Sequence, residues 1–427
     1  MGVLEDKIIK NHFASEYIYN KHKNTTNIMP QISRKGTILP ASAIRKLVPY
    51  AEAAKAKGIK VYHLNIGQPD IETPKGAVDA LRKAEMNVVA YTHSAGNISY
   101  RERLCEYYAK HNINITPDEI VVTNGGSEAL QFAFTICCNP GDEVLIPEPY
   151  YTNYNSFAIL SDTVIKTIPS TIDNGFALPP IEEFEKAITP KTRAIMVCNP
   201  NNPTGYLYTK EELQSLAKLA KKHDLFLFAD EVYREFCYDG RKHFSVMELD
   251  EISNNVILLD SVSKRYSACG ARVGVIISKN KEVMTSALRM GQARLCPPYF
   301  GQIFAEAAVD TPKEYFDKVA AEYDSRRKTL INAVNKIPGC RCPMPTGAFY
   351  SIIEMPIDDS DKFCEWLLKD FSYNGATVML APATGFYSNP EKGRKQARMA
   401  YVLKEEDLIA AVKCLEEALK IYPGRTI

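Results

Sequence analysis

Residues 194–233 read AIMVCNPNNPTGYLYTKEELQSLAKLAKKHDLFLFADEVY. Two apolar runs, Ala194–Cys198 and Leu225–Ala229, bracket an amphipathic stretch, Glu211–Lys222. Neither run alternates polar with apolar residues, as expected of strands buried on both faces. Thr209-Lys210-Glu211-Glu212 fits a capping box, in which the first hydroxyl and the fourth carboxylate each satisfy a free backbone N–H. Strand, helix, strand in this order reads as a βαβ unit of a parallel sheet.

Outward from this unit the pattern repeats. Ile120–Val122, Glu143–Ile146, Val256–Leu259 and Val273–Ile277 read as further buried strands, with a helix over Glu128–Cys138. The expected fold is α/β, a mostly parallel sheet between helices. After about residue 310 the texture becomes helix-rich: Glu314–Ile337, Asp361–Tyr373 and Glu405–Ile421. Only weaker strand candidates follow there (Phe349–Ile353, Val378–Leu380, Arg398–Tyr401), which suggests a smaller α+β domain. Residues 1–28 are polar and patternless and read as an N-terminal extension outside the fold, open to disorder.

Composition removes whole classes of function. The 427 residues carry 52 Lys+Arg against 51 Asp+Glu, a net charge of +1. That balance argues against nucleic acid as a partner, since such proteins usually carry a basic excess. No run approaches the roughly 18 apolar residues of a membrane span. The eleven cysteines are scattered, some inside apolar runs, which fits reduced thiols in a cytoplasmic location. Seven histidines without an H-x-H or HExxH pattern, and no C-x-x-C, leave no dedicated metal site.

In open α/β sheets ligands bind beyond the carboxyl ends of the strands. Those ends carry Thr123-Asn124-Gly125-Gly126-Ser127, Asn199 to Gly205, Asp230 with Tyr233, and Ser261-Val262-Ser263-Lys264 with Arg272 beyond. Paired glycines at a helix start make an anion cradle. Together with a carboxylate, a phenol, amides, a lysine and an arginine, this inventory suits a phosphorylated heteroaromatic aldehyde. GxGxxG, GxxxxGK[ST] and GxSxG are all missing.

The ordered motifs resemble a class I pyridoxal-phosphate aminotransferase of fold type I, close to the aspartate aminotransferase group. They are Asn65–Asp70, Tyr91 with Ser94-Ala95-Gly96, Gly125-Gly126-Ser127, Asn199–Gly205, Asp230–Tyr233, Ser261–Lys264 with Arg272-Val273-Gly274, Gly347–Tyr350 and Arg398. The resemblance spans roughly residues 30 to 421. It implies a large domain over 77–322 that binds pyridoxal 5'-phosphate, and a small domain from 29–76 with 323–427. It implies that Lys264 condenses with the cofactor aldehyde and moves the substrate proton. Asp230 would face the pyridine nitrogen, with Tyr233 and Asn202 on the ring oxygen. Gly126, Ser127, Ser261 and Arg272 would bind the phosphate, joined by Tyr91 in the neighbouring subunit. Tyr151 stands where many relatives place a ring-stacking tryptophan. Arg398 would clamp the substrate α-carboxylate, and Gly67 would pass close to the substrate.

Each residue also has a plainer reading. Asp230 suits a helix N-cap, the glycines a simple turn, Tyr91 and Tyr233 ordinary packing, and Arg398 a basic surface with Arg394 and Lys395. Aspartate aminotransferases use a partner-subunit arginine shortly before a Pro-Pro pair; here that position holds Gly291. Some relatives use a lysine after the paired glycines, where Ser127 stands. Arg289 and Arg294 are the candidate substitutes, with structural salt bridges as the alternative. The expected function is a cytoplasmic, homodimeric aminotransferase with shared active sites. It passes an amino group from an L-amino acid, aspartate favoured and aromatic residues next, to 2-oxoglutarate by a ping-pong mechanism. A lyase on the same fold is the rival, followed by a non-catalytic regulator and a nicotinamide dehydrogenase.

Overall fold

Side chains alternate across a strand, so an uninterrupted apolar strand must feed two cores at once. Here Ile195, Val197, Leu227, Ala229, Val256 and Leu258 enter one core. Ala194, Met196, Phe228, Ile257 and Leu259 enter the other. The sheet is therefore covered on both faces.

The computed structural model describes residues 30–427, so the extension read over 1–28 lies outside the described residues. Contacts divide the chain into residues 1–39 and 40–427. In the first unit the Ser33 hydroxyl accepts from the Gly36 N–H at 3.2 Å and caps a short helix, Arg34–Ile38.

Residues 40–427 hold twelve strands: β1 (Lys60–His63), β2 (Ile120–Thr123), β3 (Glu143–Glu148), β4 (Val164–Pro169), β5 (Thr192–Cys198), β6 (Phe226–Asp230), β7 (Val256–Ser261), β8 (Gly274–Ile277), β9 (Tyr350–Glu354), β10 (Ala376–Met379), β11 (Ala381–Pro382) and β12 (Gln396–Ala400). Seven form one sheet in the order β2-β8-β7-β6-β5-β3-β4. All six central strands read from sequence are present in it. The seventh, β4, lies at the sheet edge and is mostly half-exposed, so its residues form no continuous apolar run by which the sequence would reveal it. A three-stranded antiparallel sheet, β11-β12-β9, and a parallel pair, β1-β10, hold the rest.

One strand runs against the others. β8 is antiparallel to both β2 and β7, while β3 through β7 pair in parallel. The chain therefore enters β8 on the edge where β2, β5, β6 and β7 leave. Gly274 pairs with Thr123 on one side and Ser261 on the other. A Cβ there would lie 2.4 Å from the Gly125 carbonyl carbon, so only glycine lets these backbones approach.

The Asn199–Gly205 loop fastens the small antiparallel sheet to this edge. The Gly205 carbonyl accepts from the N–H groups of Thr346 and Gly347 at 2.9 and 2.8 Å. The Asn201 carboxamide oxygen folds the loop by accepting from the Thr204 N–H and hydroxyl at 3.1 and 2.9 Å. β9 and β12 follow, and their Tyr350 and Arg398 come to the sheet edge.

The capping box forms as read. The helix Lys210–His223 has the Thr209 hydroxyl accepting from the Glu212 N–H at 3.2 Å, while the Glu212 carboxylate takes the Thr209 N–H at 2.7 Å. Thr209→Ala should lower stability by about 1 kcal/mol. Denaturant unfolding followed by circular dichroism measures it, with cofactor content as a control that should not change.

Candidate active site

A cavity of about 610 Å³ opens at the carboxyl edge of the sheet. That volume suits a cofactor with a small substrate. Its wall includes Gly67, Gly126, Ser127, Tyr151, Asn202, Asp230, Tyr233, Ser261, Lys264, Arg272 and Arg398. Every site residue read from the sequence is thus in one place, apart from Tyr91. Tyr91 is 77% exposed beside the exposed Val88 and Val89, outside this cavity.

Asp230 ends β6 and is buried at the cavity floor. Its carboxylate accepts from the Tyr154 hydroxyl at 2.8 Å and from the Val232 N–H at 3.4 Å. Burial pushes its pKa up to about 6, against the pull of these two donors. Tyr154 carries no ligand role in the sequence reading. Its place one helical turn after Tyr151 is the signal that points to it.

Lys264 sits in a short helix, Val262–Arg265, directly after β7. Its ammonium donates to the Gly67 carbonyl at 2.9 Å and lies 3.7 Å from the Cys269 sulfur. No carboxylate hydrogen-bonds this amine among the described residues. The neighbouring Arg265 is anchored instead: it ion-pairs with buried Asp260, which also takes the Tyr108 hydroxyl at 2.7 Å and the Ser261 N–H at 2.6 Å. These bonds fix the strand end from which Lys264 projects.

The phosphate-type cradle forms where β2 turns into the helix Gly125–Cys137. Gly125 has φ +71°, and Asn124 makes no side-chain cap, so the first-turn N–H groups stay available. Arg272 has φ +54° and folds over this turn, donating to the carbonyls of Cys269 at 3.1 Å and Asn124 at 3.4 Å. A Cβ on Gly125 would meet its guanidinium at 2.3 Å. The Ser261 hydroxyl donates to the Val273 carbonyl at 2.9 Å and lies 2.8 Å from that of Ser263, a cavity residue with no assigned role from sequence.

Arg398 is 1% exposed. It donates to the Asn202 carboxamide oxygen at 3.0 Å and the Asn65 carbonyl at 2.5 Å, while its Nε has no partner among the described residues. Its guanidinium packs 4.5 Å from the Tyr350 ring. The Asn202 amide donates to the Tyr233 hydroxyl at 3.4 Å, which is 3.1 Å from that of Tyr350. Asn202 therefore couples Arg398 to Tyr233. Asn199 bonds the Phe244 carbonyl and the Tyr208 N–H, and Asn201 folds the loop, so of the loop's asparagines Asn202 is the one that lines the cavity. A Cβ on Gly67 would lie 1.8 Å from the Tyr350 hydroxyl, so glycine is obligatory there. Tyr151 accepts at its hydroxyl from the Asn153 amide at 2.9 Å and meets Tyr154 edge-on at 5.4 Å.

The candidate arginines for the substrate side chain are expected from the partner subunit, and neither lines the cavity of its own chain. Arg289 is exposed. Arg294 is committed to Glu128 at 2.8 Å and to the carbonyls of Ser94 and Val122 at 3.0 and 3.1 Å, a structural ion pair.

A doubly covered, mostly parallel sheet with a lysine, a buried carboxylate and an anion cradle at one edge defines a group-transfer enzyme of fold type I. The aminotransferase class I and II family model matches residues 59–397, and the chain belongs to that family. It is 30% identical over 386 residues to an aspartate aminotransferase of Bacillus subtilis, covering 88% of this chain and 96% of the relative. It is 31% identical over 388 residues to aromatic-amino-acid aminotransferase 2 of Thermococcus litoralis, covering 89% and 96%. The solved structure of Thermus thermophilus aspartate aminotransferase with maleate superposes with a TM-score of 0.83 at 29% identity, covering 92% of this chain and all of that one. The protein is an aminotransferase.

A carboxyl whose folded pKa of about 6 exceeds its ordinary 3.8 makes the folded chain the tighter proton binder. Stability from this group is therefore lost as pH rises through that window, by about 3 kcal/mol when complete. Asp230→Asn should raise the melting temperature of the cofactor-free protein at pH 8, with the gain shrinking towards pH 5. Calorimetry at both pH values checks this.

Proposed function

We propose that this aminotransferase works with pyridoxal 5'-phosphate and transfers the amino group of an L-amino acid, aspartate first, to 2-oxoglutarate in a ping-pong cycle. One observation carries the reading: a single cavity holds a buried carboxylate, a lysine without a carboxylate partner, a glycine cradle under an arginine, and a buried guanidinium with an unpartnered Nε. These donors and acceptors fit the cofactor group by group.

Gly126, Ser127, Ser261 and Arg272 would hold the phosphate, Arg with paired donors suited to its oxygens. Asp230 would take the ring N–H, while Asn202 and Tyr233 would bond the ring oxygen. Tyr151 would lie against the ring. When bound, the cofactor supplies an aldehyde for the amino group and a protonated ring that draws electrons from substrate Cα.

The chain's own groups do the rest. Arg398 would clamp the α-carboxylate and so fix the orientation of the substrate Cα. The Lys264 amine removes the proton at Cα. Gly67 leaves room for the substrate and orients Lys264 through its carbonyl. Asp230 would hold a proton on the ring nitrogen, which would return a positive partner to a carboxylate that burial otherwise penalises.

The same reading makes the large cofactor-binding domain 77–322 and the small domain the two flanking segments, cytoplasmic in location and homodimeric. The placement of Tyr91 supports shared sites, since it is exposed and outside its own cavity. All eleven cysteines are free thiols, which supports a reducing compartment. No helix among the described residues is long and apolar enough to cross a membrane.

Purified protein loaded with cofactor should be yellow, and borohydride should fix the chromophore to the peptide containing Lys264. Peptide mass spectrometry reads the site; label on another lysine, or none, would contradict the assignment.

A further inference from the structure

Four cations line the cavity: Arg45, Lys264, Arg272 and Arg398. Three have work in the reading above: Lys264 for the aldehyde, Arg272 for the phosphate, and Arg398 for the α-carboxylate. Arg45 is left over, and no described residue lining the cavity neutralises it. The single lining carboxylate, Asp230, is occupied by Tyr154 and the Val232 N–H. Arg45 makes no side-chain hydrogen bond or ion pair among the described residues. Its neighbour Lys46 by contrast is engaged by Asp361. An unpaired guanidinium facing a shared cavity is a ready anion site.

Arg45 is also held in register with the α-carboxylate clamp. The Asn65 side-chain amide donates to the Ile44 carbonyl at 2.9 Å, and the Asn65 carbonyl accepts from Arg398 at 2.5 Å. One buried residue thus ties the Arg45 backbone to the Arg398 head group. Buried Ala43 and Leu47 anchor the segment on either side, and the Arg45 N–H closes a turn onto the Ser42 carbonyl at 3.0 Å. Two guanidiniums so linked suit a ligand with two carboxylates.

We propose that Arg45 is the specificity-determining residue of this site, binding the side-chain carboxylate of a dicarboxylic amino acid while Arg398 binds its α-carboxylate. The proposal rests on the aminotransferase reading above. It places the specificity cation in the same chain as Arg398, a position that Arg289 and Arg294 do not fill.

The test uses holoenzyme half-reactions, each with one amino acid and no oxo acid, in wild type, Arg45→Gln and Arg45→Lys. Second-order rates for aspartate and glutamate should fall roughly 10- to 100-fold in Arg45→Gln, while alanine and phenylalanine stay within about threefold. Arg45→Lys, which keeps the charge but loses the paired donors, should lie between. Calorimetry should show succinate binding weakened in Arg45→Gln and butyrate binding unchanged. Equal losses for all amino acids would mean a packing role and would overturn the proposal. So would a wild type that consumes alanine or phenylalanine but not aspartate, leaving the aminotransferase reading standing. A wild type that consumes no amino acid and takes no borohydride label would remove both.

Discussion

A carboxylate buried at the end of a central strand is the constraint around which this site is arranged. Asp230 has water removed from it by β5, β7 and the Tyr154 side of the cavity, and among the described residues two donors reach its oxygens. A buried charge so thinly partnered is costly to the free chain. It is tolerated because it faces a cavity in which a ligand can bring a matching N–H. Buried tyrosines surround it: the Tyr154 hydroxyl donates to Asp230 at 2.8 Å, and the Tyr233 and Tyr350 hydroxyls lie 3.1 Å apart.

The remaining groups come together through the direction of single strands. Parallel strands deliver Thr123, Cys198, Asp230 and Ser261 to one edge, and the reversal of β8 brings Arg272 back to that edge. The close backbone contact at Gly274 and the folding of Arg272 over Gly125 follow from that reversal. Arg398 arrives from a different sheet, steered by the bonds between Gly205 and the segment before β9. The catalytic geometry therefore depends on a few loop hydrogen bonds as much as on the sheet.

Much of this was legible in the residues. The central strands were readable because burial on both faces leaves an uninterrupted apolar run, as in Val256–Leu259. β4 and β1 escaped because their exposure is mixed and no such run marks them. Lys264, Asp230 and Asn202 were readable because motifs after central strands place them on one edge, whereas Arg398, in β12 of another sheet, was marked by the family resemblance alone. Tyr154 and Ser263 were not singled out, since a tyrosine or serine near a motif is ordinary in sequence. Arg45 carries no sequence signal: it lies in a mixed segment, and the folded cavity wall, which includes Ser42, Ile44 and Arg45, is what brings it to the site. Of the two arginines that precede Pro297-Pro298, Arg294 is occupied by Glu128, while Arg289 is exposed.

The account turns on Asp230 acting as the charged partner of a protonated ring. Stopped-flow absorbance of the holoenzyme mixed with aspartate alone tests this most directly, comparing wild type with Asp230→Asn. Wild type should convert one equivalent of chromophore without any oxo acid. Asp230→Asn should still take the borohydride label on Lys264 but convert at least about a hundredfold more slowly, the scale expected when one preorganised charge is removed from a buried site. Equal rates in the two proteins would contradict the account.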